Sequence, residues 1–347
     1  MHEQLLKQTV TQLFAGDKGL LAMDESTGTS NRRFAAAGIP QTVEMRRRYR
    51  ELIVTTPGLN ESIGGAILYD ETIRQQTKDG IPFKDVLIRA GILPGIKVDK
   101  GAVPMPGFAG EKATEGLDGL RNRLDEYKQL GARFAKWRGV VAMGEGMPSR
   151  ACIEANAHAL ARYAAFCQEA GLVPIVEPEV LMDGDHDLER CFDVTRDVLS
   201  VVFEQLYRQG VRLEGMILKP NMVVPGLESP HPAGVAEVAD ATVTCLLESV
   251  PAAVAGVAFL SGGQPGALAA AHLNAMQVRH GAKLPWPLTF SFARAIQQPA
   301  LEIWQGHDAN VPAAQEALNH RALCARAARR GAYTAAMESP EAKSQST

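Results

Sequence analysis

Residues Phe134–Val140 read FAKWRGV, a short run whose ionisable side chains fall two positions apart. Side chains on a β-strand alternate faces, so Lys136 and Arg138 share one face while Ala135 and Trp137 take the other. Seven more β-like runs lie on either side: Gly19–Asp24, Gly65–Tyr69, Gly95–Lys100, Val173–Pro178, Gly215–Pro220, Gly256–Gly262 and Leu288–Ser291. Helical patterns separate them. Ile153, Ala157, Leu160, Ala161 and Ala164 keep helical spacing and stop at Gly171, and Leu188, Phe192, Thr195, Leu199, Val202 and Leu206 do so before Gly210. Strand–helix alternation predicts a parallel sheet. Roughly eight such units fit a closed TIM (β/α)₈ barrel. The rival, an open doubly wound sheet, would carry a Gly-x-Gly-x-x-Gly first turn, which is missing here.

Length and composition set the frame. The 347 residues are 46% hydrophobic and 22% charged, with a net charge of −3. That balance suits a globular protein and points to neither nucleic acid nor an anionic membrane as partner. We expect one domain over residues 1–334 and a flexible polar tail over 335–347, AAMESPEAKSQST. Leu6, Val10 and Leu13 predict an amphipathic helix at the start, without the unbroken apolar run of a signal peptide. Five widely spaced cysteines with no Cys-x-x-Cys pair suggest reduced thiols in a cytoplasmic protein.

The chemistry is read from charges where a parallel barrel should be apolar. Asp24, Lys97 and Asp99, Lys136 and Arg138, Glu177 and Glu179, and Lys219 all stand near the C-terminal ends of their strands. Barrel enzymes keep their reacting groups at that rim. Burying so many ions costs several kcal/mol each before pairing recovers it. A lysine attacks a carbonyl only as the free amine, and burial among cations lowers its pKa. Lys97, Lys136, Arg138 and Lys219 are expected to converge in that way, which suits a Schiff-base nucleophile. Lys219, on the most apolar of these strands, is the leading candidate, with Lys136 and Lys97 as alternatives. Two neighbouring carboxylates should leave at least one with a raised pKa, and Glu177 is then a proton shuttle. Asp24 is a candidate base, and Glu179 a partner that orients a lysine.

Two turns read as anion sites. Ser261-Gly262-Gly263 closes the seventh strand, and Ser291 to Arg294 closes the eighth, where barrels commonly bind phosphate through backbone N–H groups. Ser26, Thr29 and Arg33 follow the first strand at a predicted helix N-terminus. Cations on two sides of one mouth suggest a substrate with phosphate at both ends. No His-x-His or His-x-x-x-His pair occurs, and the run Asp183–Asp187 lacks a calcium-loop register. That run reads as a helix cap, and neither a metal nor another cofactor is expected.

With those residues in view, the chain resembles the class I, Schiff-base-forming fructose-bisphosphate aldolases from about Leu13 to Tyr333. LLAMDESTGT, GIKVDKG, FAKWRGV, VPIVEPE, DGDHDLERC, GMILKPNMV, FLSGGQ and LTFSFARA carry the resemblance. It implies reversible cleavage of fructose 1,6-bisphosphate to dihydroxyacetone phosphate and glyceraldehyde 3-phosphate in glycolysis and gluconeogenesis. By matched position it implies that Lys219 forms the imine. Glu177 then protonates the departing hydroxyl, and Asp24 serves the C4 hydroxyl. Glu179 and Lys136 set the local charge, and Lys97 and Arg138 face the distal phosphate. Ser261, Gly262, Arg33, Ser291 and Arg294 face the other phosphate. A homotetramer is implied by the family alone. Thr29, Arg32 and Ala293 stand where serine, lysine and glycine are usual, and no aromatic residue closes the chain as the tyrosine of animal members does. The competing readings are a related Schiff-base lyase or transaldolase, and a non-catalytic phosphosugar-binding or scaffold protein on the same fold.

Overall fold

The structure, a computed structural model, describes residues 2–338. Its strands are β1 (Gly19–Met23), β2 (Ile63–Leu68), β3 (Leu93–Lys97), β4 (Gly101–Met105), β5 (Phe108–Glu115), β6 (Phe134–Val141), β7 (Val173–Val180), β8 (Ile217–Leu218), β9 (Val257–Phe259) and β10 (Leu288–Phe292). Eight of these, all but β4 and β5, close a parallel barrel in the order β1-β10-β9-β8-β7-β6-β3-β2. The expected TIM barrel is therefore what the chain forms. β4 and β5 make an antiparallel hairpin outside it.

Helices cover the barrel and are bounded by the residues their ends require. Ser149 accepts from Cys152 N to start Arg150–Ala170, and Gly171, at φ +78°, ends it. Asp187 accepts from Arg190 N to start Leu188–Arg208, so the acidic run 183–187 caps a helix as its sequence suggested. The outward residues of the strands, such as Trp137, Val176, Leu218 and Phe259, pack beneath this helical layer.

Inside the barrel the period-two alternation sorts residues by height. At the N-terminal end the inward positions are Leu20, Ile67, Phe134, Val173, Ile175, Ile217 and Ala258. Leu6, Val10 and Leu13 of the helix Glu3–Phe14 join that cluster, so the helix plugs this end of the barrel. Space there is tight. A Cβ on Gly95 would stand 2.2 Å from Phe134 Cε2, and one on Gly65 would stand 2.5 Å from Leu13 Cδ2. One turn of pleat higher, the inward positions become Asp24, Lys97, Lys136, Glu177 and Lys219.

Three expectations need correction. β8 is two residues long, because Leu213–Gly215 forms a 3₁₀ turn before it and Pro220 follows Lys219. β3 stops at Lys97 instead of Lys100, because Asp99 turns its side chain back to accept from Gly101 N at 3.2 Å and the chain leaves for the hairpin. The expected tail is ordered at its beginning: Ala335–Glu338 is a 3₁₀ turn, with Glu338 Oε2 2.5 Å from Arg321 Nη1. Residues 339–347 of that tail lie outside the described residues.

Candidate active site

The charged inward layer opens into a cavity of about 690 Å³ at the C-terminal end of the barrel. Asp24, Lys97, Lys136, Arg138, Glu177, Glu179 and Lys219 line it, together with Ser26, Thr29, Arg33, Ser261, Gly262, Ser291 and Arg294. The structure thus brings together every residue nominated for catalysis or phosphate binding.

Strand register decides how the charges meet. Within the parallel β6–β7 pair, Lys136 lies opposite Ile175 and Arg138 opposite Glu177. Lys136 Nζ reaches Asp24 Oδ2 at 2.7 Å and Glu177 Oε2 at 3.0 Å. Lys219 Nζ reaches Glu177 Oε1 at 2.9 Å. Asp24, Lys136, Glu177 and Lys219 therefore form a chain of alternating sign. Beside it, Arg138 Nε donates to Glu179 Oε2, and Lys97 Nζ lies 2.6 Å from Asp99 Oδ1. Lys136, Glu177 and Lys219 are each no more than 4% exposed, so solvent screens these pairs little. The Lys136–Glu177 contact is an ion pair without hydrogen-bond geometry, which leaves Glu177 Oε2 free to bond to another group.

This alternation corrects two expectations. The lysines do not gather as bare cations, since Glu177 stands between Lys136 and Lys219, and Lys97 pairs with Asp99. Glu177 does not have a raised pKa. Burial pushes it up, but the charges of Lys136, Lys219 and Arg138 outweigh burial and hold it below the usual value. The same contest holds Asp24 at about 2, with burial opposed by Lys136, Lys219 and the hydrogen bond from Lys136. Lys136 moves upward: burial disfavours its charge, and Asp24, Glu177 and Asp99 more than compensate. Both carboxylates are thus ionised at neutral pH, and Lys136 is a fixed cation between them. Glu179 pairs with Arg138, not with a lysine as expected.

The remaining wall is built from turns. Gly262 and Gly263 have φ of +61° and +101°, a left-handed pair that residues with side chains rarely adopt and that lines the cavity. Arg294 lies directly over Gly263, where a Cβ would stand 2.8 Å from its Nη2. Ala293 keeps a negative φ of −105°, so alanine fits where a glycine is usual. Ser291 is 1% exposed and its hydroxyl has no partner among the described residues, which leaves a buried donor facing the cavity. Ser26 caps the helix Thr27–Ala36 by accepting from Thr29 N, and that helix carries Arg33 to the rim. Glu25 was not nominated. Its Oε1 lies 2.5 Å from Arg33 Nη1 and 3.0 Å from Gln297 Nε2, so it steadies the arginine. Nothing in the local sequence separates Glu25 from an ordinary surface acid beside a cap. Among the described residues no group of three or more His, Cys, Asp or Glu is placed to hold a metal ion.

Comparison with known proteins gives concordant matches. Residues 5–347 match the family described as fructose-bisphosphate aldolase class-I. A probable fructose-bisphosphate aldolase class 1 of Xanthomonas campestris pv. campestris is 56% identical, covering 93% of this chain and 96% of that one. The cytosolic fructose-bisphosphate aldolase 6 of Arabidopsis thaliana is 50% identical over 91% of this chain and 88% of its own. Among solved structures, fructose-bisphosphate aldolase from Plasmodium falciparum, crystallised with TRAP and a small-molecule inhibitor, superposes with a TM-score of 0.93. It is 46% identical, and the match covers 96% of both chains.

Proposed function

The chain belongs to the class I fructose-bisphosphate aldolases, and on that premise we propose that it cleaves fructose 1,6-bisphosphate through an imine on Lys219. The observation that carries the assignment of roles is the 2.9 Å contact between Lys219 Nζ and an ionised, buried Glu177. Glu177 takes a proton from Lys219, and the free amine attacks the C2 ketone. A proton passes from the nitrogen to the alkoxide to give the carbinolamine; Glu177 then returns its proton to that hydroxyl, which leaves as water, and the nitrogen lone pair forms the iminium. Glu177 is a shuttle in this scheme, but it begins as a base, because its lowered pKa keeps it ionised before substrate arrives.

Asp24 accepts the proton of the C4 hydroxyl. The C4–O bond becomes a carbonyl, the C3–C4 bond breaks, and its electron pair passes into the iminium to give an enamine. Protonation of the enamine carbon and hydrolysis of the imine release dihydroxyacetone phosphate. Lys136 remains positive throughout and stabilises Asp24 and Glu177 in the forms that start the cycle. Lys97 and Arg138 hold the distal phosphate, and the Ser261–Gly262 turn, Ser291, Arg33 and Arg294 hold the other.

Borohydride added with substrate reduces the imine to a stable secondary amine. We expect the adduct on the peptide carrying Lys219, and none in Lys219→Met, which should stay folded and lose turnover. An adduct on Lys136 or Lys97 instead overturns the assignment. Cleavage should also proceed unchanged after exhaustive chelation, since no step uses a metal. The proposed assembly is the homotetramer of the family, to be read by light scattering as four times the chain mass. We place the protein in the cytoplasm, in line with the cytosolic relative and five free, buried cysteines.

A further inference from the structure

Behind the phosphate-binding turn, two buried polar side chains meet that neither line the cavity nor enter the mechanism. Gln264 follows Gly263 directly, and its backbone N–H closes the turn onto Ser261 O at 2.9 Å. Its side chain is 5% exposed. Oε1 lies 2.6 Å from Nδ1 of His272, two turns along the helix Gly266–His280, and Nε2 reaches Met222 Sδ at 3.6 Å. Met222 is three residues past Lys219. Gln264 thus ties the turn to the helix behind it and to the segment that carries the nucleophile.

His272 is costly where it stands. It is 3% exposed between Ala269, Ala270 and Leu273, and Nε2 has no partner among the described residues. Burial holds the ring neutral, pushing its pKa down to about 4. An apolar side chain would fill this helix face without an unpaired nitrogen, at a saving of roughly 1–3 kcal/mol. Its compensating contact is the bond to Gln264. With Oε1 facing the ring, Nδ1 carries the proton and donates.

We propose that His272 is a positioning residue for phosphate binding: by donating to Gln264 it fixes the Ser261–Gly263 turn in its anion-ready shape before substrate arrives. The proposal rests on the reading of Ser261 and Gly262 as phosphate contacts. Pre-formed N–H groups bind an anion without first losing backbone freedom, so loosening the turn weakens phosphate binding more than it slows the chemistry at Lys219.

The test compares the full-length parent with His272→Phe, His272→Asn and Gln264→Leu. Steady-state cleavage and competitive inhibition by inorganic phosphate are measured for each. His272→Phe fills the space without a donor. We expect KM for fructose 1,6-bisphosphate and Ki for inorganic phosphate to rise about tenfold, with kcat within about twofold, the size of one lost buried hydrogen bond. His272→Asn places an amide N–H near the position of Nδ1 and should recover most of the loss. Gln264→Leu breaks the same bond from its other end and should match His272→Phe. Unchanged KM and Ki in a folded His272→Phe overturn the proposal. So does an equal loss in the Phe and Asn variants, which marks simple packing. Should His272→Phe not fold, Gln264→Leu decides by the same criteria. A parent that gives no borohydride adduct on Lys219 overturns the aldolase assignment itself. A parent that traps the adduct beside variants that behave like it removes only the role of His272.

Discussion

Lys136 is the charge on which the others depend. It sits between Asp24 and Glu177, 4% exposed, and no other residue contacts both carboxylates as an ion-pair partner among the described residues. Removing one partner of a buried network leaves the rest uncompensated, which costs about 3–5 kcal/mol. Lys136→Met should therefore lower the unfolding free energy at pH 7, read from urea titrations, by that amount and cut kcat at least about a hundredfold. Adding Asp24→Asn should restore part of the stability but none of the rate. Asp24 also predicts an acid limb. Its folded pKa of about 2 lies below the ordinary 3.8. It therefore stabilises the fold fully above about pH 4, and that contribution disappears as pH falls through about 2. The shift corresponds to roughly 2 kcal/mol. Between about pH 5 and pH 2 the parent should lose that much more stability than Asp24→Asn in urea titrations, and parallel pH profiles would remove Asp24 from the account. These couplings were only half legible in the sequence. Period-two spacing placed Lys136 with Arg138, and Glu177 with Glu179, on shared faces. Which acid meets which base depends on the stagger between β6 and β7 and on the barrel's closure, and no local run of residues encodes either.

The elements divide the barrel into an apolar end and a charged end, and the strand sequences say so. Phe134-x-Lys136-x-Arg138 and Val173-x-Ile175-x-Glu177-x-Glu179 both run from apolar to ionisable on the inward face. The N-terminal helix was legible from Leu6, Val10 and Leu13, but its role as a plug was not, since that requires knowing that the barrel has an open lower end. The β4–β5 hairpin went unseen because most of its side chains are exposed or half-exposed and carry no core pattern; the Pro106-Gly107 pair at its turn was the available signal. Packing at the plug yields a paired prediction. Gly95→Ala drives a methyl into the Phe134 ring, and the ring is wholly buried. Overpacking of this kind costs about 1–3 kcal/mol or more. Phe134→Leu alone opens space and should also destabilise, yet the two together should cost less than their sum. Additive losses in urea unfolding would show that the two sites do not share this space.

At the scale of the whole molecule, barrel order fixes where phosphate can be held. β6 and β10 are four strands apart in a ring of eight, so they face each other across the mouth. β6 brings Arg138, with Lys97 beside it on β3, to one rim. The turns after β9 and β10, with Arg33 after β1, bring Gly262, Ser291 and Arg294 to the other. An extended sugar with one phosphate spans only half of this arrangement. The proposed imine position bears on which half: from Lys219, after β8, the glycine turn after β9 is one strand away in barrel order, whereas β6 is two and β3 three. On the proposed function we therefore expect the phosphate next to the ketone carbon at the glycine turn, and the far phosphate at Lys97 and Arg138. A charge-assisted hydrogen bond contributes about 1.5–3 kcal/mol, so Arg138→Ala should raise KM for fructose 1,6-bisphosphate roughly ten- to a hundredfold. With fructose 1-phosphate, which lacks the far phosphate, the same variant should behave almost like the parent. Arg294→Ala should weaken both ketoses alike. Steady-state kinetics on the two substrates decide the matter, and an Arg138→Ala defect of equal size on both would mean that the substrate lies across the barrel the other way.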